Sequence, residues 1–222
     1  MQRADGSQKT FGSRTAWSEA NPMTQALEKS RLSEDKIAVY YDRTWEQFKH
    51  IQKGLEGSPG VRLFFYAGVV EVFMPGQPHE IFKRVISSLL DFFFLHFDIN
   101  VTPTGSVTQE QEGVASVQAD DSFCFGEIKP IPDLSIEVIF TSGSIIKLRR
   151  YQALGVPEVW LWEDGLFTLH RLGENGYTRI YKSQISELEK LDVELLSRCV
   201  LIGETDWLEA MRAFRNAISS GE

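Results

Sequence analysis

Cysteine is almost missing from this chain. Two thiols, Cys124 and Cys199, supply neither a disulfide framework nor a metal quartet, so a reducing cytoplasm is the default expectation. Long apolar runs are missing as well. The best stretch, Val85 to Phe97, is short and interrupted by Asp91 and His96, and no membrane span is expected. The first residues are polar and have no apolar targeting core, so no signal peptide is expected either. Basic excess is absent: 23 Lys and Arg against 31 Asp and Glu give a formal net charge of −8. That balance argues against strong non-specific binding to nucleic acid, which relies on a basic footprint. It leaves room for a local basic patch, because net charge says nothing about distribution. There is no phosphate-cradling glycine loop of the P-loop kind. His50, His96 and His170 are scattered without zinc spacing.

Apolar side chains, by contrast, are ample. They make up 42% of 222 residues, with 15 Phe and five Trp, enough for a sizeable aromatic core. The length suits one domain, expected over residues 35–222, behind a flexible polar arm at 1–34. The stretch from Ile131 to Trp162 organises the rest. Leu134 to Phe140 reads as a strand, with Leu134, Ile136, Val138 and Phe140 on one face and Ser135, Glu137 and Ile139 on the other. A Thr-Ser-Gly-Ser turn follows. A helix from about Ile145 to Leu154 then stops at Gly155 and Pro157, and a strand runs from Val159 to Trp162. Strand, helix, strand in this span is a βαβ unit with parallel strands.

Upstream, Thr44 and Gln47 form a capping box for a packing helix bearing Trp45, Phe48, Ile51 and Leu55. Val61–Tyr66 and Val69–Met74 read as a hairpin around Ala67-Gly68, with Glu71 out of place in its second strand. A long helix from about His79 to Phe97 places Glu80, Lys83, Arg84 and Ser87 on one polar face. Its second half is apolar nearly all round. Residues 99–108 read as a strand broken at Pro103, 109–118 as a polar loop, and 119–125 as an antiparallel neighbour of the 134–140 strand. Downstream, 166–172 and 177–183 pair, 191–201 is helical, and Thr205 caps a last helix.

The chemistry-bearing residues are Glu80, Asp120, Glu137 and Lys147. A carboxylate inside a buried apolar strand is costly unless paired or bound to metal. Carboxylates from two strands and a helix tip suit a hard divalent ion, which activates water and stabilises charge on a phosphate. A lysine nearby holds the water or neutralises the phosphoryl group. The same residues read equally as structural ion pairs, Glu137 with Lys147 above all. Asp133 reads as a turn acid. His79 reads as a capping or solvated histidine, or one that orients Glu80, and Cys124 as a packed hydrophobe. Trp160 and Trp162 belong to the core or a dimer surface. Lys147, Arg149 and Arg150 form the one compact basic cluster beside the site, either a solvated helix face or a phosphate contact.

Gly105-Ser-Val-Thr, Asp120-Asp-Ser-Phe, Pro132-Asp-Leu-Ser-Ile-Glu-Val, Lys147 with Tyr151, Gly155-Val-Pro-Glu-Val-Trp, Val70-Glu71-Val72 and Pro78-His79-Glu80 together resemble the Uma-two family. That is a bacterial family, abundant in cyanobacteria, of restriction-endonuclease-like proteins in the PD-(D/E)xK nuclease superfamily. The resemblance spans about residues 43–201. It implies an α/β fold with a mixed β-sheet flanked by helices and metal-dependent endonuclease (hydrolase) activity on DNA. It further implies Mg2+ or Mn2+ held by Asp120, Glu137 and Glu80, with Lys147 assisting from the helix because Ile139 takes the place of a strict Glu-x-Lys lysine. Ala119 replaces a usual proline, and Glu110 stands where a basic residue is common. The rival expectation is a catalytically silent nuclease-fold protein with a binding or regulatory role; RNA or a small phosphoester is a third substrate class. A homodimer fits a cutter of two strands.

Overall fold

Alternation of apolar residues decides which strands form and what each face covers. The structure, a computed structural model, describes residues 34–140 and 144–220. The expected arm at 1–34, apart from Glu34, and the expected turn at 141–144, apart from Ser144, which is already helical, lie outside the described residues. In chain order the strands are β1 (Lys36–Tyr40), β2 (Arg62–Tyr66), β3 (Val69–Met74), β4 (Val101–Pro103), β5 (Thr108–Gln111), β6 (Ala115–Gln118), β7 (Asp121–Phe125), β8 (Leu134–Ile139), β9 (Glu158–Glu163), β10 (Leu166–Gly173) and β11 (Gly176–Ile180). The helices are α1 (Trp45–Gly54), α2 (Gln77–His96), α3 (Ser144–Leu154), α4 (Val193–Gly203) and α5 (Trp207–Ser220). Among the described residues no helix is long and apolar enough to cross a membrane.

The expected mixed sheet is present, with six strands in the order β11-β10-β9-β8-β7-β4. Its β8 and β9 are parallel, as the βαβ reading requires, and β7 is antiparallel to β8. A second sheet was not foreseen. It is antiparallel, ordered β1-β3-β2-β6-β5, and includes the expected β2–β3 hairpin. Residues 109–118 are not a loop but most of the β5–β6 hairpin, and β1, which no local pattern announced, is its far edge strand.

Pleating sorts the side chains into layers. On β8, Leu134, Ile136 and Val138 join the core formed with α2, α4 and α5, while Ile139 faces the opposite way, into a cluster shared by both sheets and α3. Phe140 lies just beyond the strand and is half exposed, with its ring 5.7 Å from that of Phe82, a member of the Leu134 core. Trp160 and Trp162 are core residues. The Thr44–Gln47 capping box forms as expected and starts α1, which covers the outer face of the second sheet through Phe48 against Leu63, Phe65 and Val70. The second half of α2 buries Leu89, Leu90, Phe93 and Phe94 but leaves Leu95 exposed, so it is amphipathic rather than enclosed. The last helix is capped by Asp206, whose carboxylate accepts the Glu209 N–H, rather than by Thr205.

Candidate active site

The chain passes from one sheet to the other at Ala119–Asp120, and the candidate residues collect at that seam. The β7–β8 ladder ends with Asp121 opposite Ile136. The Asp120 N–H still reaches the Ile136 carbonyl at 3.1 Å. Its carboxylate then replaces the strand as the acceptor for the next free donor, Val138 N–H, at 2.6 Å. Asp120 is therefore locked beside the residue that follows Glu137. Its carbonyl is held from behind by Ser106 Oγ at 3.1 Å, which in turn takes a hydrogen bond from Lys83.

Glu137 is buried, and it faces α3 as the alternation requires. Its Oε2 accepts from Lys147 Nζ at 2.9 Å, and its Oε1 accepts from the buried Tyr151 hydroxyl in a short contact. Lys147 and Tyr151 stand one helical turn apart, so one face of α3 delivers both donors. Burial works to raise the Glu137 pKa. The Lys147 ammonium, the Tyr151 hydroxyl and the Arg62 charge outweigh it and hold the group below the usual carboxylate range. Burial and the Glu137 charge push the Tyr151 phenol well above its ordinary value, so it remains a donor.

Glu80 lies in the first turn of α2, where an acid also complements the helix dipole. Its side chain is 48% exposed and is the wet corner of the cluster. What joins it to Asp120 is Arg62, the first residue of β2. One guanidinium nitrogen is 2.9 Å from Glu80 Oε1 and the other makes a short ion pair with Asp120 Oδ1. The Phe73 ring is the apolar floor, 5.9 Å from the Arg62 guanidinium, 5.8 Å from Lys147 Nζ and 5.2 Å from the His79 ring.

All four sequence-chosen residues thus border one spot, but not as a naked ligand cage. Among the described residues no three His, Cys, Asp or Glu side chains are arranged to hold a metal ion; Arg62 and Lys147 stand between the acids. The donor set nonetheless has the chemistry a hard divalent ion needs. Asp120 Oδ2 and both Glu137 oxygens each accept one hydrogen bond, which leaves each a lone pair. Four carboxylates, Asp35, Glu80, Asp120 and Glu137, stand with three cations, Arg62, Lys83 and Lys147, so the acids outnumber the Lys and Arg cations by one.

Arg62 and Asp35 had no place among the expected site residues, and His79 was expected there only as a capping or solvated histidine or one that orients Glu80. Arg62 sits 58 positions from Asp120. His79 is neither solvated nor a cap: it is buried, with Nε2 2.6 Å from Asp120 Oδ1 and Nδ1 3.2 Å from Asp35 Oδ2. Burial lowers its pKa against the pull of Asp35. Between two carboxylate acceptors the neutral ring donates to one, and the imidazolium donates from both nitrogens, to Asp120 and to Asp35. The Pro78-His79-Glu80 sequence was the one signal that could have flagged it. The proposed basic cluster breaks up. Arg150 is buried and pairs with Glu71 at 2.6 Å, which explains the acid in β3, while Arg149 stays exposed. Asp133 is the expected turn acid, accepting Phe125 N–H and pairing with Lys129.

No curated protein matches the chain. A solved structure described as "a putative nuclease belonging to DUF820 from Anabaena variabilis" is similar to it at 13% identity. The match covers 71% of this chain and 98% of that one, with a TM-score of 0.52. That likeness supports the α/β architecture expected from the sequence. The profile of the Uma2 family, described as "Putative restriction endonuclease", matches residues 45–198. This is more than half of the chain, and it contains every candidate ligand, so the protein belongs to the Uma2 family.

Proposed function

We propose that the protein hydrolyses phosphodiester bonds in DNA with a divalent ion, Mg2+ or Mn2+, held by Asp120 and Glu137 and completed by Glu80. The carrying observation is the convergence, at one seam, of two buried carboxylates, a half-exposed third and a lysine within hydrogen-bond distance of one of them. The ion, when bound, supplies an activated water and charge stabilisation. The chain supplies the rest. Asp120 is oriented by Val138 N–H, and Glu137 is kept ionised by Lys147 and Tyr151. Lys147 Nζ, with further donor hydrogens beyond the one given to Glu137, positions the attacking water or meets the phosphoryl oxygens. The Phe73 floor and the buried strand keep bulk water from the inner carboxylates. The acidic net charge predicts weak, salt-sensitive DNA binding.

A catalytically silent nuclease fold that binds or regulates is the second reading. It is favoured by the way Arg62 and Lys147 already neutralise the acids. Calorimetric titration with Mn2+ and cleavage of plasmid and single-stranded DNA at low salt separate the two. Cleavage lost in Lys147→Ala, and Mn2+ binding lost in Asp120→Ala, support the enzyme. Equal Mn2+ binding by wild type and Asp120→Ala removes the site, and wild type inert on both DNAs favours the silent protein.

A further inference from the structure

Behind Asp120 stand two buried residues that cannot reach DNA and that the nuclease chemistry does not itself require. Asp35 is the residue before β1, and its side chain is 6% exposed. Its Oδ1 accepts Gly76 N–H at 2.7 Å and its Oδ2 lies 3.2 Å from His79 Nδ1. Gly76 is the N-cap of α2 and has no side chain with which to cap it. One carboxylate from the edge of the far sheet therefore fixes both where α2 begins and how the imidazole in its first turn is rotated. That ring is enclosed by Phe73 at 5.2 Å and Phe140 at 6.0 Å and delivers Nε2 to Asp120 Oδ1 at 2.6 Å.

The consequence for Asp120 is a carboxylate held from three directions. Oδ1 takes both Arg62 and His79, which fills its lone pairs. Oδ2 takes Val138 N–H and keeps one lone pair. We propose that Asp35 and His79 are positioning residues that turn Asp120 so that this remaining lone pair of Oδ2 is presented to the divalent ion. The proposal rests on the nuclease reading. Partners behind a ligating carboxylate set its orientation, and their loss typically costs 10- to 100-fold in metal affinity. A purely architectural role fits less well, because β1 is already held to β3 along its full length, Lys36 to Tyr40.

The test uses the full chain carrying His79→Ala, His79→Gln or Asp35→Ala. Mn2+ affinity is read by calorimetry, kcat and KM on DNA by cleavage, and Tm separately. His79→Ala is expected to weaken Mn2+ binding about 10- to 100-fold, to lower kcat by a similar factor, and to leave KM for DNA within about twofold, since the ring is enclosed. In His79→Gln the amide donates in place of Nε2, so most of the loss is recovered; Asp35→Ala falls between. Mn2+ binding by His79→Ala equal to wild type overturns the proposal. So do equal losses in His79→Ala and His79→Gln that follow Tm. Wild type that neither binds Mn2+ nor cuts DNA refutes the nuclease reading itself, and this proposal with it. Wild type that does both, with variants that match it, refutes the positioning role alone.

Discussion

Glu137 and Glu158 are alike in sequence and different in place. Each is a buried acid in a largely apolar strand, and their strands are neighbours, with Leu134 opposite Glu158 and Glu137 opposite Leu161. Glu158 is surrounded mostly by neutral donors: Trp160 Nε1 and Ser183 Oγ at 2.7 Å and Gln184 N–H at 3.0 Å, with Arg171 only at 3.8 Å. These bonds tie the segment after β11 back onto the sheet. Glu137 instead meets an ammonium and a phenol, with Arg62 and further acids close by and a wet corner at Glu80. A buried acid is thus not by itself a sign of chemistry. Charges of both signs crowded at a border with solvent are the better sign, and saturation by neutral donors marks the acid that only holds the chain together.

The largest effect that sharpens this contrast is on stability. Glu158→Ala removes the acceptor of the buried Trp160 N–H, the half-buried Ser183 hydroxyl and the Gln184 N–H, and a buried donor left unpaired costs about 1–3 kcal/mol, added to the loss of the buried carboxylate's packing. A loss of about 4 kcal/mol in urea unfolding is expected, with the activity of the protein that remains folded unchanged. Activity that disappears at unchanged stability would put Glu158 in the site and break the comparison.

Glu137→Gln should do the reverse. Cleavage is expected to fall at least about 100-fold, while stability drops by only about 1–2 kcal/mol, because Lys147, 17% exposed, can turn to water. The pH dependence has a fixed sign. The folded pKa of Glu137 is depressed, so its contribution is present above the ordinary carboxylate value and is lost as pH falls through the lower, folded one. The stability gap between wild type and Glu137→Gln should therefore close on acidification, followed by urea unfolding at several pH values. A gap that widens in acid contradicts the assignment of the cations as its stabilising partners.

How much of this was legible follows the range of the interactions. The βαβ unit, the β2–β3 hairpin, the Thr44 capping box and the side of β8 on which Glu137 lies are all written in periods of two or four residues. The β5–β6 hairpin was not, because Thr-Gln-Glu-Gln looks like a loop until Gln109 is seen buried and bonded to Ser135. β1 was illegible because, as an edge strand, both its faces are largely exposed and no alternation shows. Arg62, His79 and Asp35 make their defining contacts across 58, 41 and 44 residues, and no local pattern encodes such distances. The acids of the site could be named from the sequence; the cation and the imidazole that orient them could not.

The smallest test concerns Asp121, the neighbour of Asp120 on the other side of the strand. Burial holds its carboxyl above the usual range, despite hydrogen bonds from Ser87 Oγ and the Ser122 N–H, and Asp91 adds repulsion. The folded state therefore binds this proton more tightly than the unfolded one, so stability declines as pH rises from the ordinary carboxylate value through the raised one. Asparagine removes that penalty and keeps the partners. Its oxygen accepts Ser122 N–H, and its amide donates to Ser87 Oγ, whose own hydrogen already has the Lys83 carbonyl 2.9 Å away. Lys83 loses an attractive charge in the exchange, which keeps the gain small. Asp121→Asn is expected to raise Tm by about 2 °C at pH 8, and the gain should vanish as pH drops below the ordinary carboxylate value. A lower Tm at pH 8, or a gain that ignores pH, would mean that the Asp121 charge is held by Lys83 as firmly as Glu137 is by Lys147. The seam would then have two ionised, cation-paired acids on adjoining strands, and the distinction between its working and structural carboxylates would have to be redrawn.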